Sequence, residues 1–251
     1  MEGQKHISRL IVLVGCIILI IQTAYSQTSY SDEIYKAYAR GNMSRWLEVM
    51  KGCEASTNKT ELQKQLELIN YYYGYTGWLI SVKKYELAEQ YIDKTDLMLD
   101  KILADHPLNA TAMAYKGAFI AYEIGMSKYK AIFLGKKSMR LIDRGLEIEP
   151  DNIQANIEKG NALYYSPSAF GGDKIQSIVY YKIAIKSMEK KQLTKNNWMY
   201  LNVMTSLGLA YEATEQIQKA KLCYEKILRI EPDFMWVGDE LYPDMLKRYN
   251  L

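Results

Sequence analysis

Histidines, cysteines and one glycine pair followed by an acid and a lysine are the residues that could do chemistry here. Each can be tested by its spacing. The chain has two histidines, His6 and His106, and three cysteines, Cys16, Cys53 and Cys223. A zinc site needs several His or Cys ligands at short, defined spacings, and no C-x-x-C or H-E-x-x-H is present. No G-x-S-x-G elbow is present for a nucleophilic serine. Carboxylate neighbours such as Asp239-Glu240 read as solvated helix faces. His106, in ADHPLN, reads as a residue at a helix C-terminus, where the dipole favours it. Cys53 and Cys223 form no disulfide framework and read as buried thiols on helices. Nothing here assembles a catalytic set, a metal site or a cofactor site, so the chain reads as a non-enzyme.

The glycine pair lies in YSPSAFGGDKIQS, Tyr165 to Ser177. A phosphate-cradling loop needs G-x-x-x-x-G-K-[ST] directly after a buried strand. Here Lys174 is followed by Ile175, and the preceding segment is helical in pattern. Asp173 is placed to cap a following helix, and Pro167 with Gly171-Gly172 lets the loop bend sharply. The stretch therefore reads as a turn between two helices.

The elements that hold these residues read as helices throughout. There are only 5 prolines in 251 residues, long apolar-periodic stretches, and hardly any Val- or Thr-rich alternation. Formal net charge is +3, with both signs scattered along the chain, so no clustered basic face argues for nucleic acid. The first 26 residues stand apart. Lys5 and Arg9 precede the apolar run Leu10 to Ile21, and Ala24 and Ser26 supply small residues after it. That is the order of a secretory signal peptide, residues 1–26, cleaved after Ser26. The run is short for a bilayer, which takes about 20 residues. Leu13-Val14-Gly15-Cys16 also matches a lipobox, although Cys16 lies in mid-run, so lipidation at Cys16 and a retained anchor stay open as alternatives. Cleavage removes one acidic and two basic residues and takes the charge from +3 to +2.

Residues 27–251 carry an internal repeat. LNVMTSLGLAYEATEQIQKAKLCYEKILRIEPDF, Leu201 to Phe234, has Leu207-Gly208, Tyr211, Ala220, Tyr224 and Pro232 at set offsets. Small residues let two helices approach, the aromatic residues fill the seam, and the proline ends the unit. These offsets resemble those of the tetratricopeptide repeat (TPR). Upstream, Pro150-Asp151 mirrors Pro232-Asp233, and Gly160, Leu163, Ser177, Tyr181 and Ala184 fill the corresponding roles. The spacing is longer there, and the excess falls in YSPSAFGGD. More divergent pairs are read at about 31–54 (with Trp46 where a small residue is usual), 61–107 (with Ala88 at the crossing) and 108–150. Pairs at 151–190 and 201–234 and a capping helix at 237–250 complete the chain. The resemblance implies an all-α, TPR-like right-handed superhelix of antiparallel helix pairs, in which stacking buries what one pair alone cannot. A narrower resemblance links PSAFGGD, followed by Tyr180-Tyr181 and Ala184, to periplasmic TPR lipoproteins that accompany TRAP-type transporters.

The resemblance also implies where a partner would sit, on the concave face lined by the first helix of each pair. Carried onto this chain, the groove candidates are Tyr115, Tyr122, Gln154, Glu158, Asn161, Tyr164, Tyr165, Asn202, Thr205 and Leu209. Asn161 and Asn202 are present, but the basic residue that a carboxylate clamp for C-terminal peptides would need is not. Tyr and Asn suit a peptide or an apolar ligand, since they lose little rotamer entropy on binding. A protein or peptide partner is the first expectation and a small-molecule ligand, as for a transport accessory, the second. A membrane partner follows only if Cys16 is lipidated or the anchor is kept. A helix turns about 100° per residue, so Tyr71, Tyr72, Tyr73, Tyr75 and Trp78 cannot all face one groove. Several of them must pack between repeats.

Overall fold

The computed structural model describes residues 29–57 and 61–251. The proposed signal peptide and Cys16 lie outside the described residues. The described chain is all-α, with eleven helices in antiparallel pairs and no strand among the described residues. The pairs are α1 (Tyr30–Ala39) with α2 (Met43–Ser56), α3 (Leu62–Ser81) with α4 (Tyr85–Asp105), and α5 (Ala110–Met126) with α6 (Ala131–Ile148). Then come α7 (Ile153–Tyr165) with α8 (Lys174–Lys190), and α9 (Trp198–Ala213) with α10 (Ile217–Ile230). A π-helical turn, Trp236–Leu241, runs into the terminal helix α11 (Tyr242–Tyr249). Pro243 is the second residue of α11, directly after that π-helical turn.

Local chemistry sets the helix ends. Ser29, Asn42, Asn109, Asn152, Asp173 and Asn197 each accept a backbone N–H from the first turn of the helix that follows. Four turns that follow a helix pass through a left-handed residue: Gly41 (φ 60°), Lys83 (φ 60°), Gln192 (φ 58°) and Glu215 (φ 60°). The N–H of the next residue reaches back to close each helix, as in Lys84 N–H to Leu79 O at 2.8 Å.

Within a pair, the two helices meet where a first-helix glycine receives a second-helix side chain. A Cβ on Gly208 would lie 2.5 Å from the Tyr224 ring, and one on Gly160 would lie 2.6 Å from the Tyr181 ring. Gly117 meets Ile142 in the same way, at 2.8 Å. The bulk of Trp46 is absorbed by the next helix instead: a Cβ on Gly74 would stand 2.6 Å from its ring.

Successive first helices run side by side and parallel. Asn70 of α3 donates to the hydroxyl of Tyr115 of α5 (2.8 Å), and Tyr122 of α5 donates to the carbonyl of Tyr73 (3.2 Å). Asn152, at the start of α7, donates to Thr111 at the start of α5 (2.9 Å). The array also folds back on itself. Trp198, at the start of α9, packs edge-on against Trp46 at 5.0 Å and Tyr38 at 5.4 Å. Its indole N–H donates to Asn70 (2.7 Å). Asn202 donates to the Tyr38 hydroxyl (2.9 Å) and Asn196 to Asp32 (2.9 Å). The first pair thus closes against the last.

Candidate functional site

The site is built from the inner faces of α3, α5, α7 and α9. At its centre is Tyr73, buried, stacked on Tyr122 at 5.2 Å and beside Tyr115 at 5.7 Å and Trp198 at 6.4 Å. Beneath these rings lies one carboxyl group, Glu158, with 4 % of its surface exposed. Gln154 donates to it at 2.7 Å and Asn161 at 3.3 Å. Asn161 also donates to the Tyr73 hydroxyl (3.2 Å) and accepts from the Tyr181 hydroxyl (2.9 Å). Burial raises Glu158 to about 7, because a carboxylate loses its hydration there; its neutral hydrogen-bond donors offset only part of that cost. Burial likewise holds the hydroxyls of Tyr73, Tyr122 and Tyr181 well above the usual tyrosine range.

Of the ten groove candidates, Tyr115, Gln154, Glu158 and Thr205 are buried. Tyr115 and Glu158 belong to the central cluster, with Gln154 as a donor to Glu158. Thr205 turns its hydroxyl to the Leu201 carbonyl of its own helix, at 2.8 Å. Tyr122, Asn161, Tyr164, Asn202 and Leu209 are half-buried, and Tyr165 is exposed. Tyr164 and Tyr165 stand edge to face at 4.8 Å. The candidates that stay partly or fully accessible are therefore Tyr122, Asn161, Tyr164, Tyr165, Asn202 and Leu209. The rest of the face is filled by the chain itself. Sequence reasoning did not assign Tyr38, Asn70, Tyr73 or Trp198 to this face, because no periodic signal shows that the two ends of the array meet.

The residues singled out for possible chemistry take structural places. Asp173 caps α8 by accepting from Gln176 N–H (2.9 Å). A Cβ on Gly172 would meet the Ser166 carbonyl at 1.9 Å, so only glycine fits there. His106 is exposed and closes α4 through its N–H to Ile102 (2.7 Å). Cys53 and Cys223 are free and buried, and burial pushes the Cys223 thiol up to about 12. The first-helix lysines Lys116 and Lys159 face the preceding second helices, paired with Asp96 and Asp100 and with Asp143 (2.7 Å). Among the described residues no cluster of His, Cys, Asp and Glu could hold a metal ion.

The backbone is similar to the crystal structure of a thermophilic TPR protein of Thermus thermophilus. The two superpose with a TM-score of 0.54 at 12 % sequence identity, over 84 % of this chain and 94 % of that one. No family model matches the sequence, and neither does any curated protein. The fold is thus an all-α, TPR-like array of helical repeats.

Proposed function

We propose that this chain is a non-catalytic scaffold, exported to the periplasm or beyond, that holds a short segment of a protein partner on its concave face. One observation carries the reading: on a face otherwise filled by its own tyrosines, the chain leaves Tyr165 exposed beside half-buried Tyr164, Asn161 and Asn202. Aromatic rings with amide side chains beside them suit an extended peptide, which needs apolar area and backbone hydrogen bonds. Stacked helical repeats generally present such surfaces to partners. The test is capture from an envelope extract by the wild type and by Tyr164→Ala/Tyr165→Ala. A protein retained by the wild type and lost with the variant is expected. Equal retention, or none by either, would overturn the reading.

A small-molecule ligand is the second reading, as for an accessory of an envelope transport system. The observation favouring it is the buried Glu158, a single carboxyl group held by Gln154 and Asn161 beside the tyrosine rings. Native mass spectrometry of protein purified from a secreting host would show a bound small mass under this reading and a bare chain under the first.

A further inference from the structure

The paired contacts along the first helices fix which loops share an end of the molecule. Asn70 lies beside Tyr115, and Asn152 beside Thr111, with parallel helices. Followed to their C-termini, Ser81, Met126 and Tyr165 end α3, α5 and α7 at one side. The three hairpin tips that follow are neighbours there, and they share a composition. The first is Val82-Lys83-Lys84-Tyr85. The second is the segment after Ser127, with Tyr129 (68 % exposed), Ile132 (71 %) and Phe133 (76 %). The third has Phe170 (69 %) and Ile175 (67 %).

Lysines flank these side chains, Lys83 and Lys84 at the first tip, Lys128 and Lys130 at the second and Lys174 at the third, with Glu86, Glu89, Glu123 and Asp173 as the acids nearby. Between Glu123 and Asp143 the chain has Lys128, Lys130, Lys136, Lys137 and Arg140 and no Asp or Glu. Between Asp173 and Glu189 it has Lys174, Lys182 and Lys186 and again no acid. Lys130 is tied to Glu123, whereas Lys128, Lys136, Lys137 and Lys182 are exposed. The opposite end of the stack carries Asp105, Glu149, Asp151, Glu231 and Asp233 in its loops, together with Lys190, Lys191 and Lys195. The basic character of the first end is concentrated between Lys128 and Arg140.

We propose that this end is a peripheral membrane-docking edge that sits on an anionic lipid surface. The apolar side chains stand on separate protruding tips and not in a groove, so they fit a soft, flat phase better than a folded partner. Aromatic and aliphatic side chains ringed by lysines match the interfacial zone, where rings enter the headgroup layer and ammonium groups meet lipid phosphates. Among the described residues no helix is long and apolar enough to cross a membrane, so the contact is superficial.

The test is sedimentation of the protein with vesicles of phosphatidylglycerol and phosphatidylethanolamine, against vesicles of phosphatidylcholine alone. Recovery with the anionic vesicles only is expected, weakened by salt. Phe133→Ser with Phe170→Ser should lower the partition coefficient about tenfold or more. Lys136→Glu with Lys137→Glu should lower it too. All four residues are exposed, so unchanged melting temperatures verify the fold of both variants. No recovery on anionic vesicles overturns the proposal and leaves an acidic protein surface as the better fit. Equal recovery on both vesicle types, or recovery that both variants leave intact, also overturns it, since an apolar N-terminal run would bind in that way.

Discussion

Glu158 shows how much one buried side chain can set. Its folded form binds a proton up to about pH 7, while an exposed glutamate releases it near 4.5. Between those values the folded state holds more protons than the unfolded one. The contribution of this group is therefore greatest below 4.5 and is lost as pH rises through about 7, by roughly 3 kcal/mol in all. Glu158→Gln keeps the shape and removes the titration. We expect its urea midpoint to be nearly level between pH 5 and pH 8, where the wild type falls; an unchanged slope in the variant would place the titration elsewhere. The crossing glycines make a second test. Gly160→Ala or Gly208→Ala drives a methyl into a tyrosine ring, and the ring is pinned by its own helix. Each should cost about 1–3 kcal/mol in denaturant unfolding. The glycines were legible from the sequence, since small residues recurred at fixed offsets. Their contacts were only partly so: the pattern paired Gly208 with Ala220, whereas the atoms that would collide belong to Tyr224.

At the scale of the element, the helices and their pairing were readable because capping and period agree. Asp173 opening α8 follows from its side chain, and the extra length of PSAFGGD is taken up in a short 3-10 turn, Ser168–Phe170, and a left-handed Gly171. Less expected are the left-handed residues Lys83, Gln192 and Glu215, which carry side chains where glycine is usual. Nothing in their residue type announces that conformation. Glu215→Gly should relieve it and raise stability by up to about 1 kcal/mol, reduced by the extra freedom glycine gives the unfolded chain. A shift in melting temperature of a few degrees would register this, and a fall would show that the side chain of Glu215 contributes more than its backbone costs.

For the whole molecule, the repeat pattern implied an open concave face. The structure fills most of that face with Tyr73, Tyr115 and Tyr122 and closes it with Trp198. Periodicity reports contacts between neighbouring repeats, and the meeting of first and last pairs is not such a contact. It depends on Tyr38, Trp46, Asn70 and Trp198, which occur once each in their roles. Trp198→Ala should therefore cost about 3–5 kcal/mol, more than a surface aromatic residue would. Its signature would be spatial: faster amide exchange in α1 and α2 as well as in α9, with α5 to α8 protected as before. Loss of protection confined to α9 would mean that the first pair holds its place without the tryptophan.

That closure also bears on how the chain reaches its native state. In an open solenoid, each unit needs only the one beside it, so order can spread from any point. Here Asp32 meets Asn196, 164 positions later, and Arg40 meets Asp233, 193 positions later. Contacts this distant raise the contact order and slow the final step, because a long loop must close first. Emerging from the ribosome, α1 would wait, with Tyr38 lacking Trp198 and Asn202, until nearly the whole chain had been made. An array that could have assembled piece by piece is thereby turned into one that completes late and all together.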